Sequence, residues 1–413
     1  YAGDVNNDGL MDFFVRNYLI FGASSNPDTL TLADESYANQ LTFSGGNFYE
    51  NAGDVNGDGI TDIIGINGSE VNVIFGSADL GSTFDLTTID GTNGFVIALD
   101  AVTGFTPSKA SGVGDVNNDG FDDVIMSAPA SNAAGIVFII YGSASPTARF
   151  QLDAIDGSNG FYINGLTTTS SAKYGYDVDD VGDVNGDGID DFAVVSLSGT
   201  FVGLFNDSYT TVIYGRDGNF PEELLLTDLD GTNGYIMNKS TGAWIYDVGS
   251  IGDINNDGFD DIAVKESYNY AAPGYIYLIY GTGDEVGKVL DLDSTAILNR
   301  GVTVIVNNND YQLRPTMSGG FDSNQDGIND FTLSIVDLAG DPVNDGVYTI
   351  YGKTDFADTI NLGSFQEDDG FIIKSKTISD LTLSGTTLGD INGDDLEDYI
   401  MSGFTTGFVY TGG

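Results

Sequence analysis

The sequence predicts an all-β fold, a seven-bladed β-propeller, on three observations. An acidic nine-residue stretch opens at Asp4, Asp54, Asp115, Asp183, Asp253, Asp322 and Asp390, so it recurs along the whole 413-residue chain. Each copy is followed by two short β-rich runs, the second closing in an aromatic residue and a glycine in six of the seven units. No amphipathic helical period interrupts the pattern. Units that tile a chain at a fixed spacing are read as one repeat architecture before any local assignment is made.

Each unit supplies four strands separated by Gly, Asp and Asn turns. The first is the run before the acidic stretch, as in ASGVG or YDVGSIG. The second follows it: MDFFV, TDIIGI, DDVIM, DDFAVV, DDIAV, NDFTLSI and EDYIM. The third ends in YLIFG, VNVIFG, VFIIYG, TVIYG, YLIYG or YTIYG, with FVYTGG a looser seventh that places Thr411 between aromatic and glycine. The fourth follows an Asp-Gly-x-Asn-Gly-aromatic turn, as in IDGTNGFVI, IDGSNGFYI and LDGTNGYIM, reduced to DDGFII at 368–373. Spacings of 50 to 70 residues are too long for the coils of a parallel β-helix and suit four-stranded blades around an axis. Residues 1–413 therefore read as a single propeller domain with units starting near 4, 54, 115, 183, 253, 322 and 390.

The acidic stretch explains itself as a cation loop. It reads Asp-x-Asn-x-Asp-Gly-x-x-Asp, and like charges at that density repel unless a cation sits among them. Calcium takes six or so hard oxygens, which side chains at positions 1, 3, 5 and 9 and the carbonyl of position 7 would supply. The candidate ligands are Asp4, Asn6, Asp8, Leu10 and Asp12; Asp54, Asn56, Asp58, Ile60 and Asp62; Asp115, Asn117, Asp119, Phe121 and Asp123; Asp183, Asn185, Asp187, Ile189 and Asp191; Asp253, Asn255, Asp257, Phe259 and Asp261; Asp322, Asn324, Asp326, Ile328 and Asp330; and Asp390, Asn392, Asp394, Leu396 and Asp398. The fold expectation in full is a seven-bladed propeller with a calcium loop in each blade, up to seven ions in all. An EF-hand is excluded because its twelfth position needs a bidentate acid, and here that position is Val15 in the first loop and Gly65 in the second. Plain polar hairpin turns would account for one loop but not for seven in register. In the seventh loop Asp395 replaces the glycine of position 6, which predicts a distorted, weaker or empty site.

The run GDVNxDGxxD followed by the VxxIYG-type strand resembles the FG-GAP repeats of integrin α subunits and their bacterial relatives, secreted members included. The resemblance covers essentially the whole chain, and the loop is its most specific part. The Phe-Gly and Gly-Ala-Pro signatures are represented more weakly, by Tyr174-Gly175 and Ser127-Ala128-Pro129. It implies a seven-bladed propeller whose calcium loops are structural and lie between the first and second strands of a blade. What that family binds varies widely, so the resemblance bears on fold more than on partner.

Composition sets further bounds. With 41% hydrophobic residues the chain can bury a large core. A formal charge of −49 from 62 acidic and 13 basic residues argues against nucleic acid and anionic membranes as partners, and no apolar run suffices for membrane insertion. Low Lys with high Asp is also a general adaptation to salty water. There is no Cys, hence no disulfide frame or thiolate site. Loops of three carboxylates bind calcium in the micromolar to millimolar range, which points to an extracellular or cell-surface location.

For function, the sequence favours an adhesion or scaffold module that binds another protein or a surface polysaccharide. A carbohydrate-binding lectin is the alternative, and a glycoside-active enzyme is a third class. The face opposite the acidic loops carries long connections with Phe201, Phe205, Tyr209, Trp244, Tyr246, Tyr268 and Tyr270, whose flat apolar area suits a sugar ring or a protein surface unless they pack between blades. The chain has no His and none of the nucleophile-elbow or phosphate-loop motifs, so the reading is non-enzymatic. Strand counting does not close at the ends: only Tyr1, Ala2 and Gly3 precede the first loop, and nothing after 407–412 supplies a fourth strand to the last unit. The expectation is that the chain is part of a longer one, or that the open seventh blade accepts a strand from a neighbour and self-assembles.

Overall fold

The computed structural model describes the chain outside residues 16–17, 25–38, 100–103, 131–133, 167–172, 198–207, 239–243, 268–274, 285, 293–300, 302, 307–311, 337–345, 374–383, 403–406 and 411–413. Thirty strands lie among the described residues, with short 3-10 turns and no α-helix. The first blade is β1 (Phe13–Val15), β2 (Tyr18–Ile20) and β3 (Gln40–Phe43), with β7 (Thr83–Phe84) at its edge. The second is β4 (Asn47–Gly53), β5 (Asp62–Asn67), β6 (Glu70–Ile74) and β8 (Gly94–Ala98), with β12 (Arg149–Gln151) added. The third is β9 (Lys109–Gly112), β10 (Val124–Ala128), β11 (Ile136–Ile140) and β13 (Gly160–Asn164). The fourth is β14 (Tyr174–Gly182), β15 (Asp191–Ser196), β16 (Tyr209–Ile213) and β17 (Gly234–Asn238), with β21 (Val289–Asp291) added. The fifth is β18 (Trp244–Gly252), β19 (Asp261–Ser267), β20 (Tyr275–Ile279) and β22 (Thr303–Val306), with β26 (Thr359–Asn361) added. The sixth is β23 (Gln312–Phe321), β24 (Asp330–Val336), β25 (Gly346–Ile350) and β27 (Gly370–Ile373). The last repeat forms a three-stranded sheet of β28 (Ser384–Gly389), β29 (Asp398–Ser402) and β30 (Gly407–Tyr410).

This corrects the seven-bladed expectation. Six blades of four or five strands are present, not seven, and the sheet built by the last repeat has three strands among the described residues. Loops alone overcount the blades. A loop joins the first and second strands of a unit, so it marks a sheet begun rather than a four-stranded blade completed. The three-stranded sheet nonetheless packs against the first blade: Leu388 and Ile391 share a buried cluster with Phe13 and Ile20, and the N–H groups of Met11 and Ala23 donate to the carbonyls of Asp390 and Ile391.

The strands read as near-continuous apolar runs because each blade is covered on both faces by its neighbours. In the third blade, Val124, Met126, Ile136, Phe138 and Ile140 join the cluster shared with Ile64 and Val73 of the second. The alternate residues Ile125, Val137 and Ile139 face Val178 and Phe192 of the fourth. The β10–β11 register pairs Val124 with Ile140 and Ile125 with Ile139, so one residue of slip would exchange the two faces. Each such side chain contributes roughly 1.5–3 kcal/mol on burial.

Two features were not anticipated. The segment after an aromatic-glycine strand crosses back to pair in parallel with the outermost strand of the preceding blade, as β7 does with β3, β12 with β8, β21 with β17 and β26 with β22. Inner strands also shift register at the glycine just before the loop, as at Gly53, Gly182, Gly252 and Gly389, each with positive φ. That bulge turns the chain from the sheet into the loop.

Candidate functional site

The seven acidic stretches form one geometry, repeated. The position-1 carboxylate folds over its own turn: Asp54 Oδ1 accepts from Asp58 N at 2.9 Å and its Oδ2 from Gly59 N at 2.7 Å. Asp4, Asp115, Asp183, Asp253 and Asp322 do the same. The position-5 carboxylate in turn accepts from the N–H of position 7, at 3.1 Å for Asp119 and Phe121. Two left-handed residues make the turn. One is position 6, as foreseen; the other is position 4, occupied by Asn7, Gly57, Asn118, Gly186, Asn256, Gln325 and Gly393. Asn tolerates that conformation better than most side chains, which was a readable signal at position 4.

Position 9 is where the loop meets the blade. Asp12, Asp62, Asp123, Asp191, Asp261, Asp330 and Asp398 are all fully buried. One oxygen accepts the N–H of position 2 and the other accepts the N–H of the glycine that closes the aromatic-glycine strand, as with Gly76 to Asp62 at 2.8 Å and Gly281 to Asp261 at 2.9 Å. This accounts for the aromatic-glycine signature itself. A Cβ on Gly142 would lie 2.4 Å from the Asp122 carbonyl oxygen and 2.7 Å from that of Val55.

Burial dominates the electrostatics. Desolvation pushes the position-9 carboxyls up, to about 7 for Asp12, about 8 for Asp62 and Asp261 and about 9 for Asp191, against the pull of their backbone N–H donors. Carboxylates at positions 1 and 5 add to the rise.

The donor set is all hard oxygen, which suits calcium. One atom is left over in a telling place: Asn255 Oδ1, at position 3 of the fifth loop, is buried without a hydrogen-bond partner, whereas the equivalent oxygens of Asn6, Asn56, Asn117, Asn185 and Asn324 accept from position 5. An unsatisfied inward oxygen fits a cation. Among the described residues, no three or more carboxylates are already drawn together at metal-holding distance, so positions 1 and 5 would have to turn from their backbone donors to ligate an ion. In the seventh loop Asp395 takes φ 62° and keeps the turn, its N–H donating to Asp390 Oδ2 at 2.8 Å.

On the opposite face the aromatic candidates divide. Tyr209 is fully buried, stacked on Tyr174 at 6.1 Å and accepting from Leu166 N, so it is a core residue rather than a surface platform. Tyr246 meets the exposed Tyr176 edge-on at 6.1 Å, an exposed partner that the sequence reading missed. Trp244 opens β18. Phe201, Phe205, Tyr268 and Tyr270 lie outside the described residues.

Between the blades runs a cavity of about 600 Å³, lined in part by Glu50, Asp122, Asp179, Asp180, Asp190 and Thr386. At its side Lys109 Nζ lies 2.9 Å from Asp177 Oδ1. Burial, and then the charges of Asp177 and Asp180, hold the Asp179 carboxyl well above its usual range. No helix among the described residues is long and apolar enough to cross a membrane.

Comparison with known proteins finds a matching repeat and distant relatives. The family model described as FG-GAP repeat matches residues 110–140, the strand, loop and strands that open the third blade. Integrin alpha pat-2 of Caenorhabditis elegans is 28% identical over 265 residues, 56% of this chain and 21% of that protein. Integrin alpha-2 of Mus musculus is 33% identical over 106 residues, 25% of this chain and 8% of that protein. The chain thus matches about a fifth or less of the length of these relatives. Among solved structures, a chain of a yeast heterotrimeric nucleoporin complex aligns over 98% of this chain and 97% of its own, with TM-score 0.48 and 10% identity.

Proposed function

We propose that this chain, an FG-GAP, integrin-α-like β-propeller, is an adhesion or protein-binding module stiffened by calcium and working outside the cell or at its surface. The observation that carries the reading is the loop: one hydrogen-bond frame, with a buried position-9 aspartate, recurs in a chain that is similar to integrin α proteins over 265 residues. Calcium at the loops would be held by the carboxylates of positions 1, 5 and 9, the amide oxygen of position 3 and the backbone carbonyl of position 7, and would neutralise charge that burial makes costly. The chain's own residues then present a rigid surface. Loops of three carboxylates would be filled at extracellular rather than cytosolic calcium, which supports the location. The propeller is read as non-enzymatic, its loops serving structure and its opposite face contact.

The test is a binding screen of the purified chain, in calcium buffer, against an array of extracellular proteins and a glycan array in parallel. Saturable binding to one or a few proteins supports the reading. Selectivity for a single sugar class with silence on the protein array would replace it with a lectin.

A further inference from the structure

The residue at position 8 is not one of the expected ligands, yet in three consecutive loops it reaches across to the preceding one. Asp122 Oδ2 accepts the N–H of Asp54 at 2.6 Å, Asp190 Oδ2 that of Asp115 at 2.9 Å, and Asp260 Oδ2 that of Asp183 at 2.9 Å. In each case the recipient is position 1 of the neighbouring loop. The main chain doubles two of these clasps: the N–H groups of Asp122 and Asp260 donate to the carbonyls of Asp54 and Asp183. The residue at position 7 adds a lid, since Phe121 lies against Gly57 and Phe259 against Gly186, the position-4 glycines of the preceding loops.

The clasp is closely fitted. A Cβ on Gly53, Gly114 or Gly182 would come within 2.2 Å of the carboxylate of Asp122, Asp190 or Asp260 respectively. It is also confined to one arc. Elsewhere position 8 is Thr61, Asn329 or Met11, packed against Gly3, Gly252 or Gly389, or Glu397, whose carboxylate accepts from the Gly389 N–H of its own unit rather than from the preceding loop.

Position 8 sits between positions 7 and 9, so a cation held by those two fixes its place. Its carboxylate then fixes the peptide of position 1 in the next loop, whose side chain is the first ligand there. We infer that Asp122, Asp190 and Asp260 are positioning residues that couple calcium occupancy across the second to fifth loops, an inference that rests on the calcium reading above. Ordering one loop lowers the ordering cost of its neighbour, and that difference is the coupling.

Bound calcium is counted by equilibrium dialysis of the folded chain against calcium alone at a half-saturating concentration. D187N disables the fourth loop, which clasps the third through Asp190; D8N disables the first, whose position 8 is Met11. D187N should lower the count by about twice as much as D8N, and in a D190A background the D187N loss should shrink towards that of D8N. D190N, which keeps an acceptor for Asp115 N–H, should preserve the larger loss. Where D190A fails to fold by circular dichroism, D119N in a D122A background asks the same of the third and second loops. Equal losses for D187N and D8N overturn the coupling while leaving calcium binding intact. No bound calcium in the parent chain overturns the reading beneath it as well.

Discussion

Asp123 Oδ1 accepts the backbone N–H of Gly142 at 2.9 Å, while its Oδ2 accepts that of Val116 at 3.2 Å. One buried carboxylate thus ties the start of its loop to the end of the strand two positions further out in the sheet. Asp123→Ala leaves two buried N–H groups without acceptors and should cost about 2–4 kcal/mol. Urea unfolding in chelator measures this apart from any ion. A loss below about 0.5 kcal/mol would mean the position-9 aspartate is not a structural tie.

Gly142→Ala should be nearly as damaging, for a steric reason. The added methyl would meet the carbonyls of Asp122 and Val55, which belong to two different loops, and overpacking of that kind costs about 1–3 kcal/mol. Gly218→Ala offers a contrast, since no atom lies within 4 Å of its Cβ position, although its positive φ still disfavours Ala. Equal stability of Gly142→Ala and the parent chain would remove the account of the aromatic-glycine motif.

Much of this was legible because the loop encodes itself locally. Asp-x-Asn-x-Asp-Gly-x-x-Asp specifies its own turn, and the apolar runs after it pair in the expected antiparallel order. What depended on packing between units was not legible. The crossing of β12 onto β8, the clasp of Asp190 on Asp115 and the burial of Tyr209 against Tyr174 all join residues from different repeats or from opposite ends of one. The blade count failed for the same reason, since a period in sequence says where a sheet starts and not how many strands complete it.

The acidic cavity should make stability fall as pH rises. Burial pushes the Asp180 carboxyl up to about 7; the Gly182 N–H opposes the shift and the charges of Asp190, Asp260 and Asp122 add to it. Between about pH 4 and 7 the folded chain therefore keeps a proton that the unfolded chain has released, so each step upward through that window favours unfolding. In chelator, Tm should decline across it, and Asp180→Asn, which can still accept from Gly182, should flatten the decline. A parent chain that gains stability between pH 5 and 7 would contradict this.

Lys109 is the counter-charge in the same region. Burial would lower its pKa, but Asp177 first, then Glu50 and Asp247, more than offset that and hold it above its usual value. Lys109→Gln leaves those carboxylates facing one another and should cost about 1–2 kcal/mol at pH 7, the half-exposed side chain limiting the figure. The loss should be smaller at pH 5 than at pH 7, because burial raises the Asp179 and Asp247 carboxyls and so favours their neutral, non-repelling forms as protons become more available. An equal loss at both pH values would show that Lys109 acts by packing alone.

The central claim is that the repeated loops are calcium sites that hold the propeller together. Ions that bind only the folded chain raise its stability by mass action, and seven loops multiply the effect. Thermal melting in millimolar calcium and in excess chelator is the direct measurement. The account predicts a midpoint at least about 10 °C lower in chelator, restored by added calcium; a shift of only about one or two degrees would contradict calcium as a structural element of this fold.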